Sequence, residues 1–244
     1  MATIIAIILA VIVDRYIKVM PGGQVLERAR STAWLNLYLN KCITFLEKIS
    51  IKQNYLVVLS CVLPICIALF IVKLLFGMLL GEKLGQFLFV TLTLFYFLGN
   101  RQVEDQESVF VTVHETSFGV MFWFAILGFS GAFLYWFLVV AKQMPIIVDN
   151  INAHIRQALV SLHALAAWLP ARVSGFIYAL VGNFSPAYKC WINCVKDPKL
   201  PSSRVLQECG SAAVDSSTVG DDVRLVNNAF VAWVILIIIF VAIR

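Results

Sequence analysis

Long apolar runs alternate with short polar segments along most of this chain. The stretches that are apolar enough to enter a bilayer are residues 2–13, 55–79, 84–98, 118–140, 168–184 and 228–243. About 20 consecutive apolar residues cross the hydrocarbon core of a membrane as one helix. The pattern therefore predicts an all-α, polytopic membrane helical bundle. It forms a single membrane domain over residues 1–244, with a polar loop over 185–227.

The apolar segment 118–140 has a break at its centre. Gly128 and Gly131 lie there, in the sequence Gly-Phe-Ser-Gly, and each half would rise about 15 Å as a helix. Two half-bilayer arms fit a re-entrant hairpin whose irregular backbone is shielded by protein. A single kinked spanning helix fits equally well, so both alternatives stay open. Gly128 and Gly131 are expected to be structural residues in either case.

Two less apolar stretches have helical periodicity. Residues 28–49 carry an apolar stripe with cations at both ends, and residues 141–173 carry a similar stripe opposite polar positions. Such patterns predict amphipathic helices that lie at the membrane interface or pack on the bundle. Basic residues are concentrated in 14–54 and 189–224. The positive-inside rule places both segments in the cytoplasm and the C-terminus in the periplasm.

The amino-acid composition excludes a soluble globular protein. Hydrophobic residues make up 61% of the chain and charged residues only 14%, whereas soluble domains carry about 25% charged residues. The net charge of +5 comes from cations that are spread over the loops. That distribution fits cytoplasmic loops against anionic lipid rather than a nucleic-acid surface. The expected partner is the lipid bilayer, and no nucleic acid is expected.

The cysteines do not predict a metal site. Cys190 and Cys194 have C-x₃-C spacing, which matches neither a zinc knuckle nor a redox C-x-x-C motif, and no histidine lies near them. Cys61 and Cys66 lie within an apolar run and are expected to be small core residues. We therefore expect no metal ion and no cofactor.

The segment Trp-Leu-Pro-Ala-Arg at 168–172 places a fixed positive charge beside apolar sequence. Pro170 suits the first turn of a helix, where its missing N–H costs nothing. Arg172 would then lie in the same turn, where the helix dipole disfavours a cation. Trp168, Pro170 and Gly175 are expected to be structural. Arg172 is expected to reach lipid phosphate or to pair with a carboxylate.

A polar cavity at the cytoplasmic face is the functional alternative to an architectural ion pair. Its candidate residues are His114, Glu115, Asp149 and Arg172. Glu115 and Asp149 are the expected acid partners of the arginine. If 118–140 is a hairpin, the residues on either side of it lie on the same side of the membrane.

The sequence "FGVMFWFAILGFSGAFLYW", followed by "WLPARVSGFIYALVG", resembles the AmpE family of bacterial inner-membrane proteins. The gene for AmpE accompanies that of the cell-wall amidase AmpD in an operon that governs β-lactamase induction. The resemblance implies a multi-pass protein of the bacterial inner membrane. It also implies a non-enzymatic role in cell-envelope sensing or signalling, linked to peptidoglycan recycling and to AmpD. A membrane-protein partner or a homo-oligomer would fit that role.

The AmpE family is in turn distantly similar to the CobD and CbiB cobalamin synthases, which form an amide bond using ATP and magnesium. Those enzymes carry a polar stretch before the Phe-Trp element, and only Glu115 and Gly119 match it here, with Phe118 where an aspartate is expected. The acidic stretch expected after the Tyr reads "VVAKQMPIIVDN". Magnesium and nucleotide need such acids, so the comparison implies no enzyme activity. A CobD-like synthase and a structural or adaptor subunit remain the alternatives.

Overall fold

A computed structural model describes residues 2–16, 30–48, 54–98, 108–144, 153–214 and 220–243. Every regular element within these residues is helical, which confirms the predicted all-α bundle. The helices are α1 (Ala2–Tyr16), α2 (Ala33–Lys48), α3 (Asn54–Leu80), α4 (Glu82–Phe97), α5 (Val109–Leu127), α6 (Phe129–Ala141), α7 (Ala153–Val181), α8 (Phe184–Lys196), α9 (Ser202–Ala213) and α10 (Asp221–Ile243).

Four of the described helices, α3, α5, α7 and α10, are long and apolar enough to cross a membrane. Much of α3 is exposed, including Leu59, Leu63 and Ile67. An exposed apolar surface of this extent is unfavourable in water and favourable in lipid. The chain is therefore a multi-pass membrane protein in a lipid bilayer. Two shorter apolar helices lie within α1 and α6.

The chain divides into two compact units. The first unit comprises Met1–Asn100 and Leu127–His163. In this unit α4 packs against α1 and α3, and α6 packs against both α3 and α4. Its core is aromatic, because Trp136 contacts the rings of Trp34 and Phe97. Helix α2 buries Leu35 and Leu39 on one face, as the predicted amphipathic stripe requires.

The second unit comprises Arg101–Ile126 and Ala164–Arg244. In this unit α5 packs against α9 and α10, and α8 packs against α9. Phe118 lies at the centre of its core and contacts the rings of Tyr178, Phe230 and Trp233. The fully buried side chains of Tyr178 and Trp233 show that this packing excludes solvent and lipid.

The break predicted in 118–140 lies at Gly128. Helix α5 ends at Leu127 and α6 begins at Phe129, and Gly128 between them has φ 68° and ψ −151°. Residues with a side chain rarely adopt a positive φ, so glycine is required at this position. The two arms differ from the equal halves that the sequence suggests. Helix α5 begins earlier, at Val109, and reaches spanning length by itself. Gly131 is buried within α6.

Two predicted boundaries differ from the structure. Pro170 does not begin a helix, because α7 starts at Ala153 and continues through the proline to Val181. The segment 185–227, predicted as a polar loop, contains α8 and α9. Both helices are amphipathic and bury small or apolar residues such as Cys194 and Val205. Their polar faces lower the mean hydropathy, so a search for apolar runs alone does not detect them.

Candidate functional site

The second unit buries three of the predicted polar residues. His114 and Glu115 lie on α5, with exposed fractions of 1% and 7%, and Arg172 lies on α7 with 5%. Asp149, the fourth predicted residue, lies outside the described residues. Buried ionisable groups are rare in membrane helices and usually have a structural or functional reason. The contacts of these side chains therefore indicate what the site can do.

A π-helical turn places His114 and Glu115 in the core. Helix α5 changes to π-helical geometry over His114–Phe118 and returns to α-helical geometry at Gly119. A π turn contains an extra residue, which rotates the following side chains relative to a regular helix. Such turns occur often at functional sites. Here the turn buries His114, Glu115, Ser117 and Phe118 together.

His114 contacts a serine of the W-L-P-A-R-V-S segment. The Nδ1 atom of His114 lies 3.1 Å from Oγ of Ser174. The Ser174 hydroxyl donates to the carbonyl oxygen of Pro170 at 2.9 Å and accepts the indole N–H of Trp233 at 3.3 Å. A hydroxyl has a single proton to donate. With the hydroxyl proton on the Pro170 carbonyl, His114 donates from Nδ1, and in the other tautomer Nδ1 accepts the hydroxyl proton instead.

Ser174 is enclosed by the protein. Its side chain is fully buried, with an exposed fraction of 0%, and its hydroxyl contacts His114, the Pro170 carbonyl and the Trp233 indole. These hydrogen bonds link α5, α7 and α10.

Arg172 is held by its own helix and by the turn after α8. Its Nη1 donates to the carbonyl oxygen of Trp168 at 3.2 Å, and its Nη2 donates to the carbonyl oxygen of Asp197 at 3.2 Å. The guanidinium carbon lies 4.1 Å from the centre of the Trp168 ring. The Trp168 indole N–H in turn donates to the carbonyl oxygen of Pro198 at 3.0 Å. Trp168 and Arg172 thus both bind the turn between α8 and α9.

The predicted pairing of Arg172 with Glu115 is corrected by these contacts. Among the described residues, the guanidinium donates to two carbonyl oxygens and contacts an aromatic face, and the carboxylate that acts on its charge is that of Asp197 and not of Glu115. Its expected position near a helix N-terminus is also corrected, because Arg172 lies well inside α7. The carbonyl dipoles, the Trp168 ring and Asp197 supply the negative potential that the sequence led us to expect from Glu115 or Asp149.

Pro170 is tolerated inside α7 because another element replaces the bond that it removes. A proline at position 170 cannot donate to the carbonyl oxygen of Ala166, four residues earlier. The indole N–H of Trp123 on α5 donates to that carbonyl oxygen at 3.0 Å. The acceptor is therefore satisfied from a different helix, which also fixes α5 against α7.

Gly175 allows α8 and α9 to approach α7. A Cβ atom at this position would lie 3.3 Å from Sγ of Cys209 and 3.3 Å from Cδ1 of Trp191. These contacts are tighter than most and leave little room for a side chain. The Trp191 indole N–H also donates to the carbonyl oxygen of Arg172 at 2.8 Å. Gly175 thus lies where three helices approach closely.

A cluster of three thiols adjoins Gly175, and the sequence did not predict it. The Sγ atoms of Cys190, Cys194 and Cys209 lie within 4.8 Å of one another. Cys190 and Cys194 come from α8, and Cys209 comes from α9. Burial, together with the neighbouring Cys190 thiol, raises the pKa of Cys194 to about 11. Burial and both neighbouring thiols also raise the pKa of Cys209 well above its usual range.

The first unit contains a further buried cation that was not predicted. Arg30 is only 5% exposed, and its Nη2 lies 2.8 Å from Oδ1 of Asp14. Its guanidinium also lies 4.6 Å from the centre of the Phe95 ring. Two opposite charges 16 residues apart in the sequence leave no periodic pattern. The pairing therefore becomes apparent only in the fold.

Comparison with known proteins gives one partial similarity. The chain is 26% identical over 114 residues to the cobalamin biosynthesis protein CobD of Chromobacterium violaceum. The alignment covers 47% of this chain and 36% of that protein. No protein-family model matches the chain, and no solved structure matches it. The chain is therefore a helical membrane protein with distant similarity to a cobalamin biosynthesis protein over less than half its length.

Proposed function

We propose that this chain is a non-catalytic protein of the bacterial inner membrane that acts in cell-envelope sensing or signalling, as the AmpE resemblance implies. Its partners on this proposal are the bilayer, a membrane protein or a second copy, and the AmpD pathway. The similarity to CobD supports a related helical scaffold. In this chain the buried polar residues of that scaffold stabilise its packing.

One observation carries the proposal. The Trp168 indole, the two terminal nitrogens of Arg172 and the Ser174 hydroxyl are hydrogen-bonded inside the protein. Trp168 and Arg172 bind carbonyl oxygens of the turn after α8, and Ser174 is bonded to α5, α7 and α10. An active site instead directs polar groups toward the position of the reacting atoms. Side chains that are bonded to the protein in this way favour an architectural role.

The sequence departures support the same proposal. The resemblance to the synthases matches Glu115 and Gly119, but Phe118 replaces an expected aspartate. Phe118 is fully buried against Trp233 at a ring-centroid distance of 5.8 Å. An aromatic ring in this position cannot bind magnesium, which prefers oxygen ligands. The hydrophobic core thus occupies a position where the related enzymes have an acid.

A membrane amide-forming synthase is the second candidate function. The alignment with the CobD protein favours it, as does Glu115, the one acidic residue that matches the polar stretch of the synthases. On this alternative Glu115 would be essential, and magnesium and ATP would be required.

Complementation separates the two candidates. The chain would be expressed in a bacterial strain that lacks its own CobD gene, and growth without added cobalamin would be measured. Our proposal predicts no growth, with membrane insertion of the chain verified by immunoblotting. Growth that is lost on Glu115→Gln would support the synthase instead. A mild-detergent pull-down would then test for the stoichiometric partner that a signalling role requires.

A further inference from the structure

We infer that Cys190, Cys194 and Cys209 form a binding site for Zn²⁺, with the Glu208 carboxylate as the fourth ligand. The three sulfur atoms come from two helices of one hairpin and lie within 4.8 Å of one another. Oε2 of Glu208 lies 3.7 Å from Sγ of Cys194. Three thiolates and a carboxylate are a donor set that suits zinc.

The sulfur–sulfur distances fit a tetrahedral ion after small side-chain rotations. Glu208 contacts one of the three sulfurs and must turn its carboxylate toward the other two. Zn–S bonds of about 2.3 Å and a Zn–O bond of about 2.1 Å place the sulfurs about 3.8 Å apart and sulfur about 3.6 Å from oxygen. The Cys194–Glu208 separation of 3.7 Å already has this length. The sulfur separations of at most 4.8 Å need to contract by no more than about an ångström. Cysteine side chains can make this change by rotating about one bond.

The local fold arranges the ligands. Cys190 and Cys194 are one helical turn apart on α8, so their side chains lie on the same face. Trp168 and Arg172 bind the turn in which the chain reverses direction. Helix α9 then places Cys209 and Glu208 beside that face of α8. Cys194 and Cys209 are 2% and 0% exposed. Val205, Trp191 and Leu200 pack around the thiols and shield them from water.

Two cations lie close enough to balance the charge of a zinc-loaded site. Binding releases three protons from the thiols, so Zn²⁺ with three thiolates and a carboxylate carries a net charge of −2. Arg204 contacts Glu208, with Nε 2.9 Å from Oε1. Arg172 is held at the carbonyl oxygen of Asp197, which ends α8 three residues after Cys194. Cys194 also acts electrostatically on Arg172, so the negative site would have two guanidinium groups nearby.

Metal loading of the purified protein tests the inference. The protein in detergent would be stripped with a chelator, incubated with excess ZnCl₂ and desalted, and its zinc content would be measured by elemental mass spectrometry. We expect one zinc per chain, and loss of that zinc in Cys194→Ser and Cys209→Ser. Cys42→Ser, on α2 in the first unit, is the matched control and should retain it. Glu208→Gln should weaken zinc binding by at least about tenfold.

A second measurement keeps the test valid if the serine variants fail to fold. The wild-type thiols would be alkylated with and without zinc, and each labelled cysteine would be quantified by peptide mapping. Zinc should slow labelling of Cys190, Cys194 and Cys209 at least tenfold and leave Cys42 unchanged. Equal labelling rates with and without zinc would overturn the inference. So would zinc that is retained by both Cys194→Ser and Cys209→Ser, or a disulfide within the cluster in protein that binds no zinc.

Discussion

The indole N–H of Trp123 donates to the carbonyl oxygen of Ala166 at 3.0 Å. This carbonyl is the acceptor that Pro170, four residues later, leaves without its helical donor. Trp123 lies on α5 and Pro170 within α7, so the proline and the tryptophan form one unit. The W-L-P-A-R segment therefore contributes to tertiary packing and does not begin a helix.

Trp123→Phe should lower the free energy of unfolding in detergent by about 1–3 kcal/mol, because a partly buried carbonyl loses its donor. In a Pro170→Ala background the cost should be smaller, since the alanine N–H can then donate to Ala166. Thermal and denaturant unfolding of the two single variants and the double variant measure this coupling. Additive effects of the two substitutions on stability would contradict the link between Trp123 and Pro170.

Arg172→Lys should lower the free energy of unfolding by about 1–3 kcal/mol. A lysine ammonium cannot reach two carbonyl oxygens in the fixed geometry of a guanidinium while stacking on Trp168. Arg204→Lys is the matched control, because the Arg204 side chain is 66% exposed and pairs with Glu208 one turn away. We expect the control to change stability by less than about 0.5 kcal/mol. Equal losses of stability in both variants would contradict the role of Arg172 in holding the turn between α8 and α9.

Arg172→Ala and Glu115→Gln should have additive effects. Arg172 donates to the carbonyl oxygens of Trp168 and Asp197 and not to Glu115, and side chains that do not interact give coupling energies below about 0.5 kcal/mol. The cycle is measured by denaturant unfolding of the single and double variants. Coupling above about 1 kcal/mol would restore the ion pair that the sequence led us to expect.

Gly85→Ala should destabilise the first unit, whereas Gly77→Ala should not. A Cβ atom at Gly85 would overlap the backbone of Phe76 and Gly77, which cannot move without shifting the contact of α3 with α4. A Cβ atom at Gly77 would meet nothing within 4 Å. Overpacking of this kind costs about 1–3 kcal/mol. Melting temperatures of the two variants in the same detergent make the comparison, and equal values would contradict the close approach.

The stability of the zinc-free protein should fall as the pH rises from 9 to 11. Burial raises the pKa of the Cys194 thiol from 9.0 to about 11. The unfolded chain therefore ionises first, and the stabilisation present below pH 9 is lost as the pH rises to the folded value. Cys194→Ala should reduce this pH dependence. Thermal unfolding followed by circular dichroism between pH 9 and 11, with chelator present, tests this prediction. The same slope of stability against pH in the wild type and in Cys194→Ala would contradict it.

Sequence patterns identify elements whose stability depends on apolar runs. Helix α3 is Asn54–Leu80, close to the predicted 55–79, because lipid favours every face of such a helix. The position of the break at Gly128 was also predictable, since the glycines interrupt a continuous apolar run. Hydrophobic periodicity and glycine position therefore account for most of the helical architecture.

The site itself depends on contacts between distant parts of the chain. Pro170 suggested a helix start because nothing local indicates that Trp123 satisfies the Ala166 carbonyl. Arg172 suggested an acid partner because backbone carbonyls and an aromatic ring leave no charge signal in the sequence. Cys209 joins Cys190 and Cys194 only after the α8–α9 turn has formed. Propensity and spacing cannot supply this information.

Nucleotide turnover by the purified protein tests the central claim that the buried polar residues serve packing and not catalysis. Magnesium-dependent ATP hydrolysis and amide formation would be measured for the wild type and for Glu115→Ala, at matched folded fractions. Our account predicts no turnover above the protein-free background for either protein. Magnesium-dependent turnover by the wild type that is lost in Glu115→Ala would contradict it.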